Sequence, residues 1–262
     1  MLRDQYEQMA ELQDHHWWFA AKRRIVDTLV RQYATHGGDR RPAANWVLDA
    51  GCGTGSMLPV LRQWGHVIGT DVHRQGLQFV SHRPVLEADV LRLPFADQSF
   101  QLVGCFDVLY HRRVVDVEAV LRELHRVCRQ QGLLVLTDSA VPALQSSHDT
   151  ALHGVRRFRL ESLQAHLEGA GFRVVYGSYF HTLLFPIAAI VRLTKRALEG
   201  TPGQPVSGSD LHVAHHSDLR PTPRLLNSVL GSVYRIEAAL LQRTRLPIGL
   251  SVVVIARPAD AD

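Results

Sequence analysis

The sequence predicts an α/β fold in which a mostly parallel sheet carries helices on both of its faces. Between residues 46 and 170, short apolar segments alternate with segments whose apolar residues recur at helical spacing. Strands that alternate with helices pair in parallel, because each helical crossover returns the chain to the same end of the sheet. A turn with three glycines joins the first predicted strand to its helix, and a β-branched strand lies near the C-terminus.

The predicted elements follow one another in a regular order. The first segment, about Gln5–Tyr33, is predicted to be one helix that ends at the turn-rich residues 36–39. Pro59 fits the second helix because it falls in the first turn, where no intrahelical hydrogen bond is lost. The predicted strands are Trp46–Ala50, His66–Asp71, Pro84–Ala88, Phe100–Phe106, Gly132–Asp138, Phe172–Tyr179 and Ser251–Ala256. The other predicted helices are Ser56–Trp64, Gln75–His82, Val115–Arg129, Leu160–Ala170 and Arg224–Gln242.

Composition and charge exclude several classes of protein. The formal charge is +4, but the basic residues are scattered rather than gathered in a stripe, so no nucleic-acid partner is predicted. Three cysteines, an odd number, argue against a disulfide framework and favour a reducing compartment. The opening residues are too acidic for a secretory segment, and the longest apolar stretch, Leu183–Val191, is shorter than a membrane span. We therefore expect a cytoplasmic protein with at most peripheral membrane contact.

The turn from Asp49 to Gly55 carries the strongest chemical signal. Its glycines let a nucleoside ligand lie directly on the backbone, because a Cβ at Gly51 or Gly53 would occupy the ligand's place. No Gly-Lys-Ser/Thr ending of a phosphate-binding loop follows, and Ser56 stands where a dinucleotide fingerprint needs its third glycine. A tight turn without a ligand is the structural alternative. Asp71 ends the next strand, where a carboxylate can accept hydrogen bonds from both ribose hydroxyls.

Four segments between residues 45 and 140 resemble class I S-adenosylmethionine-dependent methyltransferases. Residues 49–55 resemble their D-x-G-x-G-x-G motif, and residues 87–101 resemble their "AD…LPF.D.SFD" run, with Gln101 replacing its last aspartate. Residues 106–111 resemble "DVLEH", with Tyr110 in place of glutamate, and residues 122–134 resemble "El.RvLkPGG.l", with two glutamines replacing Pro-Gly. The resemblance implies a Rossmann-like methyltransferase fold with a seven-stranded, mostly parallel sheet and one antiparallel strand near the C-terminus.

The same resemblance implies S-adenosyl-L-methionine as the cofactor. Asp89 would read the adenine amino group, with the Val90 backbone beside it. The expected cofactor-binding residues are Asp49, Gly51, Cys52, Gly53, Gly55, Asp71, Val72, Asp89, Val90, Phe106, Trp18 and Lys22.

Two further segments resemble a group of bacterial methyltransferases of polysaccharide and natural-product pathways. His16–Phe19 resembles the group's "HWWF-x-A-R" opening, with Ala20 and Lys22 in place of arginines. Residues 148–158 resemble its "HD…H.RRY" pattern, with phenylalanine for tyrosine. One interpretation folds the first helix over the cofactor, so that Lys22 or Arg23 pairs with the methionine carboxylate. The alternative is that the aromatic opening belongs to the core.

Candidate catalytic residues are His111, Tyr110 and His153. His111 leads as a general base because the end of the fourth strand lies near the expected methyl group and an imidazole titrates near neutral pH. A purely structural hydrogen bond is the alternative for His111. The expected substrate-binding residues are His148, Arg156 and Arg157.

Arg156 and Arg157 could clamp an acceptor carboxylate or phosphate, or could merely solvate the start of a helix. No metal site is predicted, because no acid or cysteine near the histidines at 212, 215 and 216 completes a ligand set.

We interpret residues 1–262 as one methyltransferase domain. Residues 1–35 would form a helical cap, residues 45–140 the cofactor-binding core, and residues 181–247 a helical insertion or lid before the last strand. Within the insertion, residues 201–223 are rich in Gly, Pro and Ser, so we expect them to be mobile without ligand.

The predicted function is methyl transfer to a small-molecule or lipid-like acceptor of a biosynthetic pathway, of natural-product, glycosyl or prenyl type and possessing an anionic group. Two alternatives stay open. One is a protein of this fold that binds the cofactor without methylating, and the other is a nucleotide-sugar or NAD enzyme, which the missing third glycine disfavours. The acceptor, the methylated atom and the oligomeric state are not specified by the sequence.

Overall fold

A seven-stranded sheet forms the centre of the protein. The computed structural model describes residues 3–34, 45–81, 84–142, 154–186 and 221–259. The strands are β1 (Trp46–Ala50), β2 (His66–Asp71), β3 (Val85–Glu87), β4 (Phe100–Phe106), β5 (Cys128–Ser139), β6 (Phe172–Phe180) and β7 (Ser251–Pro258). The helices described are α1 (Arg3–Leu12), α2 (Trp17–Ala34), α3 (Leu58–Leu61), α4 (Arg74–Leu77), α5 (Val117–Val127), α6 (Leu160–Gly169) and α7 (Arg224–Leu241), and a 3-10 turn follows α3 at Arg62–Trp64.

The strand order across the sheet is β3-β2-β1-β4-β5-β7-β6. β1 pairs in parallel with β2 and β4, so that Ala50 lies opposite Thr70 and Cys105. β7 runs antiparallel to both of its neighbours, β5 and β6. The predicted sheet, with one antiparallel strand near the C-terminus, is therefore confirmed. The carboxyl ends of β1, β2 and β4 meet at one edge, where ligands of such sheets gather.

Several element bounds differ from the prediction. The bounds of β1, β2 and β4 agree with it, but the single first helix is wrong, because α1 ends at Leu12 and α2 begins at Trp17. The Trp17 amide donates to Oδ1 of Asn227 at 2.7 Å, so α2 starts at a cap supplied by α7. β5 begins earlier than predicted, since Cys128 pairs with Phe100 ahead of an irregularity in the ladder. The predicted helix at residues 75–82 shortens to α4, and Pro59 lies in the first turn of α3 as predicted.

Apolar side chains cover both faces of the sheet. On one face, α2 and α7 contribute residues such as Ile25, Leu29 and Leu241, all fully buried. On the other face, α5 and α6 contribute residues such as Leu121 and Leu167. Helices thus lie on both faces, as the alternation of elements predicts. Among the described residues, no helix has the length and apolar character needed to cross a membrane.

Candidate functional site

The glycine turn lies tightly against two neighbouring strands. Gly51, Gly53 and Gly55 all have positive φ angles, at 80°, 54° and 86°, which side chains other than glycine rarely adopt. A Cβ at Gly51 would lie 2.3 Å from Cγ2 of Val108 in the segment after β4. A Cβ at Gly53 would meet nothing within 4 Å. The turn therefore packs against protein at Gly51 and presents open backbone at Gly53, where a ligand can lie.

Asp71 joins the end of β2 to the glycine turn. Its Oδ2 accepts the Gly53 amide at 2.9 Å, and its Oδ1 accepts the His73 amide at 2.8 Å. Oδ1 also lies 3.5 Å from Nδ1 of His73. The carboxylate is thus fixed beside the open backbone of Gly53, in the position expected of a ribose-binding acid.

A cleft with an empty volume of about 1280 Å³, counted to its open mouth, runs over this edge of the sheet. Most of the sequence-predicted site residues line it together. They are Trp18, Lys22, Gly51, Cys52, Gly53, Asp71, Val72, Asp89, Val90, Phe106, Tyr110 and His111.

Asp49 and Gly55 do not line the cleft. Asp49 lies beneath the turn, 1% exposed, and neither carboxylate oxygen has a hydrogen-bond partner among the described residues. Burial, reinforced by the charge of Asp71, raises the pKa of Asp49 to about 8. A Cβ at Gly55 would approach Leu58 and Val80 at 3.1 Å, so this glycine serves packing.

The N-terminal helices cover the glycine turn. Gln13 accepts the Thr54 hydroxyl at 2.7 Å and donates to the Thr54 carbonyl at 3.3 Å. Arg23 donates to the carbonyls of Gln13 and Ser56, at 2.8 and 3.3 Å, which ties it to the main chain rather than to a ligand. Tyr6 of α1, which the sequence did not single out, also lines the cleft. Burial and the neighbouring Asp71 charge raise the Tyr6 pKa well above its ordinary value, so its hydroxyl stays protonated.

The aromatic opening is both core and cleft wall. The Trp17 ring stacks on Tyr234 of α7 with centroids 5.4 Å apart. Trp18 lines the cleft and stacks on His181 with centroids 4.0 Å apart. His181 is fully buried, and its Nδ1 lies 2.7 Å from the Tyr234 hydroxyl. α7 therefore supports a wall of the cleft.

A buried ion pair joins the cap to the end of β4. Lys22, with only 7% of its side chain exposed, pairs with Oδ2 of Asp107, and both residues line the cleft. Oδ1 of Asp107 accepts the Thr137 hydroxyl at 3.3 Å. Asp107 holds a φ of 56°, a strained conformation of the kind that gathers at functional sites. The sequence reasoning missed Asp107, although its place directly after β4 is the signal that could have found it.

Tyr110, His111, His73 and Arg113 form one rim of the cleft. The His73 and His111 ring centroids lie 6.1 Å apart. Nδ1 of His111 accepts the Arg113 amide at 3.2 Å. Burial lowers the pKa of His73, against the opposing effect of Asp71.

The predicted arginine clamp is not formed by Arg156 and Arg157. Arg156 donates to the Leu109 carbonyl at 3.3 Å, while the buried Arg157 donates to the Ala140 carbonyl at 2.8 Å. The two guanidinium groups contact different parts of the main chain, and neither residue lines the cleft. His148, His153, residues 187–220 of the proposed lid and the three histidines at 212–216 lie outside the described residues. Within the described ranges, no three His, Cys, Asp or Glu side chains group as metal ligands.

The strand order, the open glycine turn and the acid at the end of β2 define a Rossmann-like protein that binds a nucleoside cofactor. The model of a family described as a methyltransferase domain matches residues 48–136. The chain is 32% identical over 207 residues to the malonyl-[acyl-carrier protein] O-methyltransferase of Pseudescherichia vulneris. The aligned region covers 75% of each protein. The chain belongs to the class I S-adenosylmethionine-dependent methyltransferases, and S-adenosylmethionine is its cofactor.

Other similarities are more local or extend to the fold alone. The demethylmenaquinone methyltransferase of Roseiflexus castenholzii is 37% identical over 110 residues, 38% of this chain and 45% of that protein. A solved S-adenosylmethionine-dependent methyltransferase of Archaeoglobus fulgidus superposes with a TM-score of 0.54 at 17% identity, covering 90% of this chain and 94% of the other. This chain thus spans less than half of the Roseiflexus protein but nearly all of the archaeal structure.

Proposed function

We propose that the protein transfers a methyl group to a small-molecule or lipid-like acceptor of a biosynthetic pathway, of natural-product, glycosyl or prenyl type. One observation carries the proposal: a single cleft unites the open glycine turn and Asp71 with an aromatic and histidine-lined half that the cofactor site does not require. Two matched relatives support the proposal, because they are named as methyltransferases of malonyl-[acyl-carrier protein] and of demethylmenaquinone.

In this proposal the cofactor lies along the edge formed by β1, β2 and β4. Asp71 accepts the ribose hydroxyls, Asp89 faces the adenine, and the backbone at Gly53 carries the nucleoside. The open space above Gly53, which a Cβ would enter, supports this fit. Asp49 lies buried beneath the turn and outside the cleft, so it would support the turn rather than contact the cofactor.

Lys22 and Asp107 face the methionine end of the cofactor in the same proposal. A methionine group carries a carboxylate and an ammonium, and the cleft offers one cation and one anion side by side. Lys22 would exchange Asp107 for the carboxylate, while Asp107 would receive the ammonium. The pair is held ready because Thr137 and the fixed backbone of Asp107 anchor one partner.

The cofactor supplies a methyl group on a cationic sulfur, so the residues have to align the acceptor and exclude water. The α1–α2 cap and Trp18 would exclude water from the cleft. Tyr110, His111 and Trp18 would orient the acceptor. Arg156, Arg157, His148 and His153 remain candidates for outer contacts with the acceptor.

Calorimetry with S-adenosylhomocysteine and with methylthioadenosine, which lacks the methionine charges, tests the cofactor assignments. Lys22→Met should weaken S-adenosylhomocysteine binding by about 1.5–3 kcal/mol and leave methylthioadenosine unaffected. Asp71→Ala should weaken both ligands by a similar amount, because both contain the ribose. Arg31→Met, an exposed position on the same helix, is the matched control. Equal losses of both ligands in Lys22→Met would contradict the methionine-end assignment.

Transfer itself is tested with labelled cofactor and a small-molecule extract of cells that carry the chain. Label should move into a low-molecular-weight product in the wild type and fall strongly in Asp71→Ala. Tight S-adenosylhomocysteine binding without any transfer would favour the alternative, a protein of this fold that does not methylate.

A further inference from the structure

A group of polar side chains at the cleft rim has no part in the cofactor assignments above. It consists of Tyr6, His73, His111 and Arg113, from α1, the segment after β2 and the segment after β4. Ring centroids of Tyr6 and His73 lie 6.1 Å apart, and those of His73 and His111 are separated by the same distance. Four such groups around one opening form a potential subsite for a second molecule.

The hydrogen bonding of His111 determines what its ring can offer. Its Nδ1 accepts the backbone N–H of Arg113 at 3.2 Å. An imidazole nitrogen that accepts a hydrogen bond carries no proton, so the neutral ring must carry its proton on Nε2. In this tautomer Nε2 is a hydrogen-bond donor and has no lone pair. The role of general base that the sequence suggests for His111 is therefore disfavoured, and a role as hydrogen-bond donor is favoured.

Arg113 adds a positive charge at the same rim. The residue is exposed, lines the cleft, and forms no side-chain hydrogen bond or ion pair with another described residue. Its charge reaches its neighbours, since it contributes to lowering the pKa of His73 and opposes the rise in the pKa of Tyr6. Arg112 beside it is also exposed but does not line the cleft.

The carboxylates near this rim already have partners. Asp71 accepts the amides of Gly53 and His73, and Asp107 pairs with Lys22. Asp89 accepts the Leu91 amide at 2.9 Å. Among the described residues that line the cleft, the rim therefore combines donors and positive charge, while its acids are engaged.

We propose that the acceptor presents a carboxylate, held by the Arg113 guanidinium and the His111 Nε2–H, and that the enzyme forms a methyl ester. This inference rests on the proposed methyl transfer. A carboxylate oxygen attacks the methyl carbon as the carbon–sulfur bond breaks, and the sulfonium becomes a neutral sulfide. The carboxylate becomes a neutral ester, and no proton is released. The reaction therefore needs a donor and a cation to orient the acceptor, and it needs no base.

A hydroxyl acceptor is the competing interpretation, with His73 as its base. Nδ1 of His73 lies 3.5 Å from Oδ1 of Asp71, an arrangement that would leave Nε2 to accept a proton. A carboxylate fits better because Arg113 and His111 both stabilise negative charge. A neutral hydroxyl carries no charge for them to stabilise. Methylation of a hydroxyl gives an ether, whereas methylation of a carboxylate gives an ester. The stability of the product in mild alkali therefore separates the two interpretations.

The chemical test uses the full chain with methyl-tritiated S-adenosylmethionine. The probes are short- and medium-chain monocarboxylates, their matched alcohols and amines, and a small-molecule extract of cells that carry the chain. Methyl esters release volatile labelled methanol in mild alkali, whereas ethers, amines and carbon-methylated products keep the label. We expect volatile label from the carboxylates and from the extract. Alkali-stable label would overturn the carboxylate assignment and leave methyl transfer standing, while no label in any sample would overturn the methyl transfer itself.

Variants at the rim give an independent test with the labelled acceptor. Arg113→Gln should lower kcat/KM roughly ten- to a hundredfold, the effect of losing one charge-assisted contact, while Arg112→Gln should match the wild type. His111→Gln, whose amide can replace the Nε2 donor, should retain more activity than His111→Ala. Both His111 variants and Arg113→Gln should bind S-adenosylhomocysteine with unchanged affinity. Abolished turnover in His73→Asn, with Arg113→Gln unaffected, would overturn the proposal in favour of a base-dependent acceptor.

Discussion

Replacing Asp49 by asparagine should remove a pH dependence of stability that the buried carboxyl imposes on the fold. Burial raises its pKa from 3.8 to about 8, so between these values the folded protein binds a proton that the unfolded chain releases. The contribution of the Asp49 carboxyl to the free energy of unfolding is fully present below pH 4 and is lost as the pH rises through 8. About four pH units separate the two pKa values, which at 1.36 kcal/mol per unit corresponds to about 6 kcal/mol over the whole range.

Urea unfolding of the wild type and of Asp49→Asn at intervals from pH 5 to pH 8 measures this effect. The free energy of unfolding of the wild type should fall relative to that of the variant by about 1.4 kcal/mol per pH unit. Other buried acids, such as Asp138, whose pKa burial also raises, contribute equally to both proteins, so their effect cancels in the difference. Glu7→Gln, at an exposed position of α1, should give a curve parallel to the wild type. A parallel curve for Asp49→Asn as well would refute the reasoning.

Two further predictions concern the supports of the cleft. Glu237 is fully buried and accepts the amides of Thr182 and Leu183 at 3.1 and 3.4 Å, so Glu237→Ala should cost about 2–4 kcal/mol of stability by thermal unfolding, against less than about 0.5 kcal/mol for the exposed Glu168→Ala. Equal losses would show that the two amides find other partners. Gly51→Ala should destabilise the fold more than Gly53→Ala, because only the first Cβ meets protein, at 2.3 Å, whereas Gly53→Ala should chiefly weaken S-adenosylhomocysteine binding. Retention of that affinity in Gly53→Ala would place the ligand elsewhere.

The sequence predicts the sheet well because each strand carries its own local signal. β1, β2 and β4 are compact apolar runs bounded by turns, and the glycine turn and Asp71 follow at fixed distances along the chain. Most of the residues that line the cleft are likewise predictable, since the carboxyl ends of adjacent parallel strands must meet at one edge. Asp49 shows the limit of this reasoning: its place in the motif is clear, but its burial beneath the turn depends on the packing of the whole sheet.

The rest of the site depends on which loops lie next to each other in the fold, and local sequence patterns do not predict those contacts. Tyr6 lines the cleft because α1 returns over the glycine turn, and Arg113 lines it because of the path of the chain after His111. Arg156 and Arg157 looked like a pair in sequence, but their side chains diverge to the carbonyls of Leu109 and Ala140. The break before Trp17 could not be predicted either, since its capping partner lies 210 residues away.

The contact between Trp17 and Asn227 also sets an order of events during synthesis. The Asn227 side chain binds the main chain at the start of α2: it accepts a hydrogen bond from the Trp17 amide and donates one to the His15 carbonyl at 2.8 Å. At about 5–20 residues per second, Asn227 leaves the ribosome roughly ten to forty seconds after Trp17. Until then Trp17 lacks both its capping partner Asn227 and the Tyr234 ring on which it stacks. The start of α2 therefore gains its cap only after Asn227 has been synthesised.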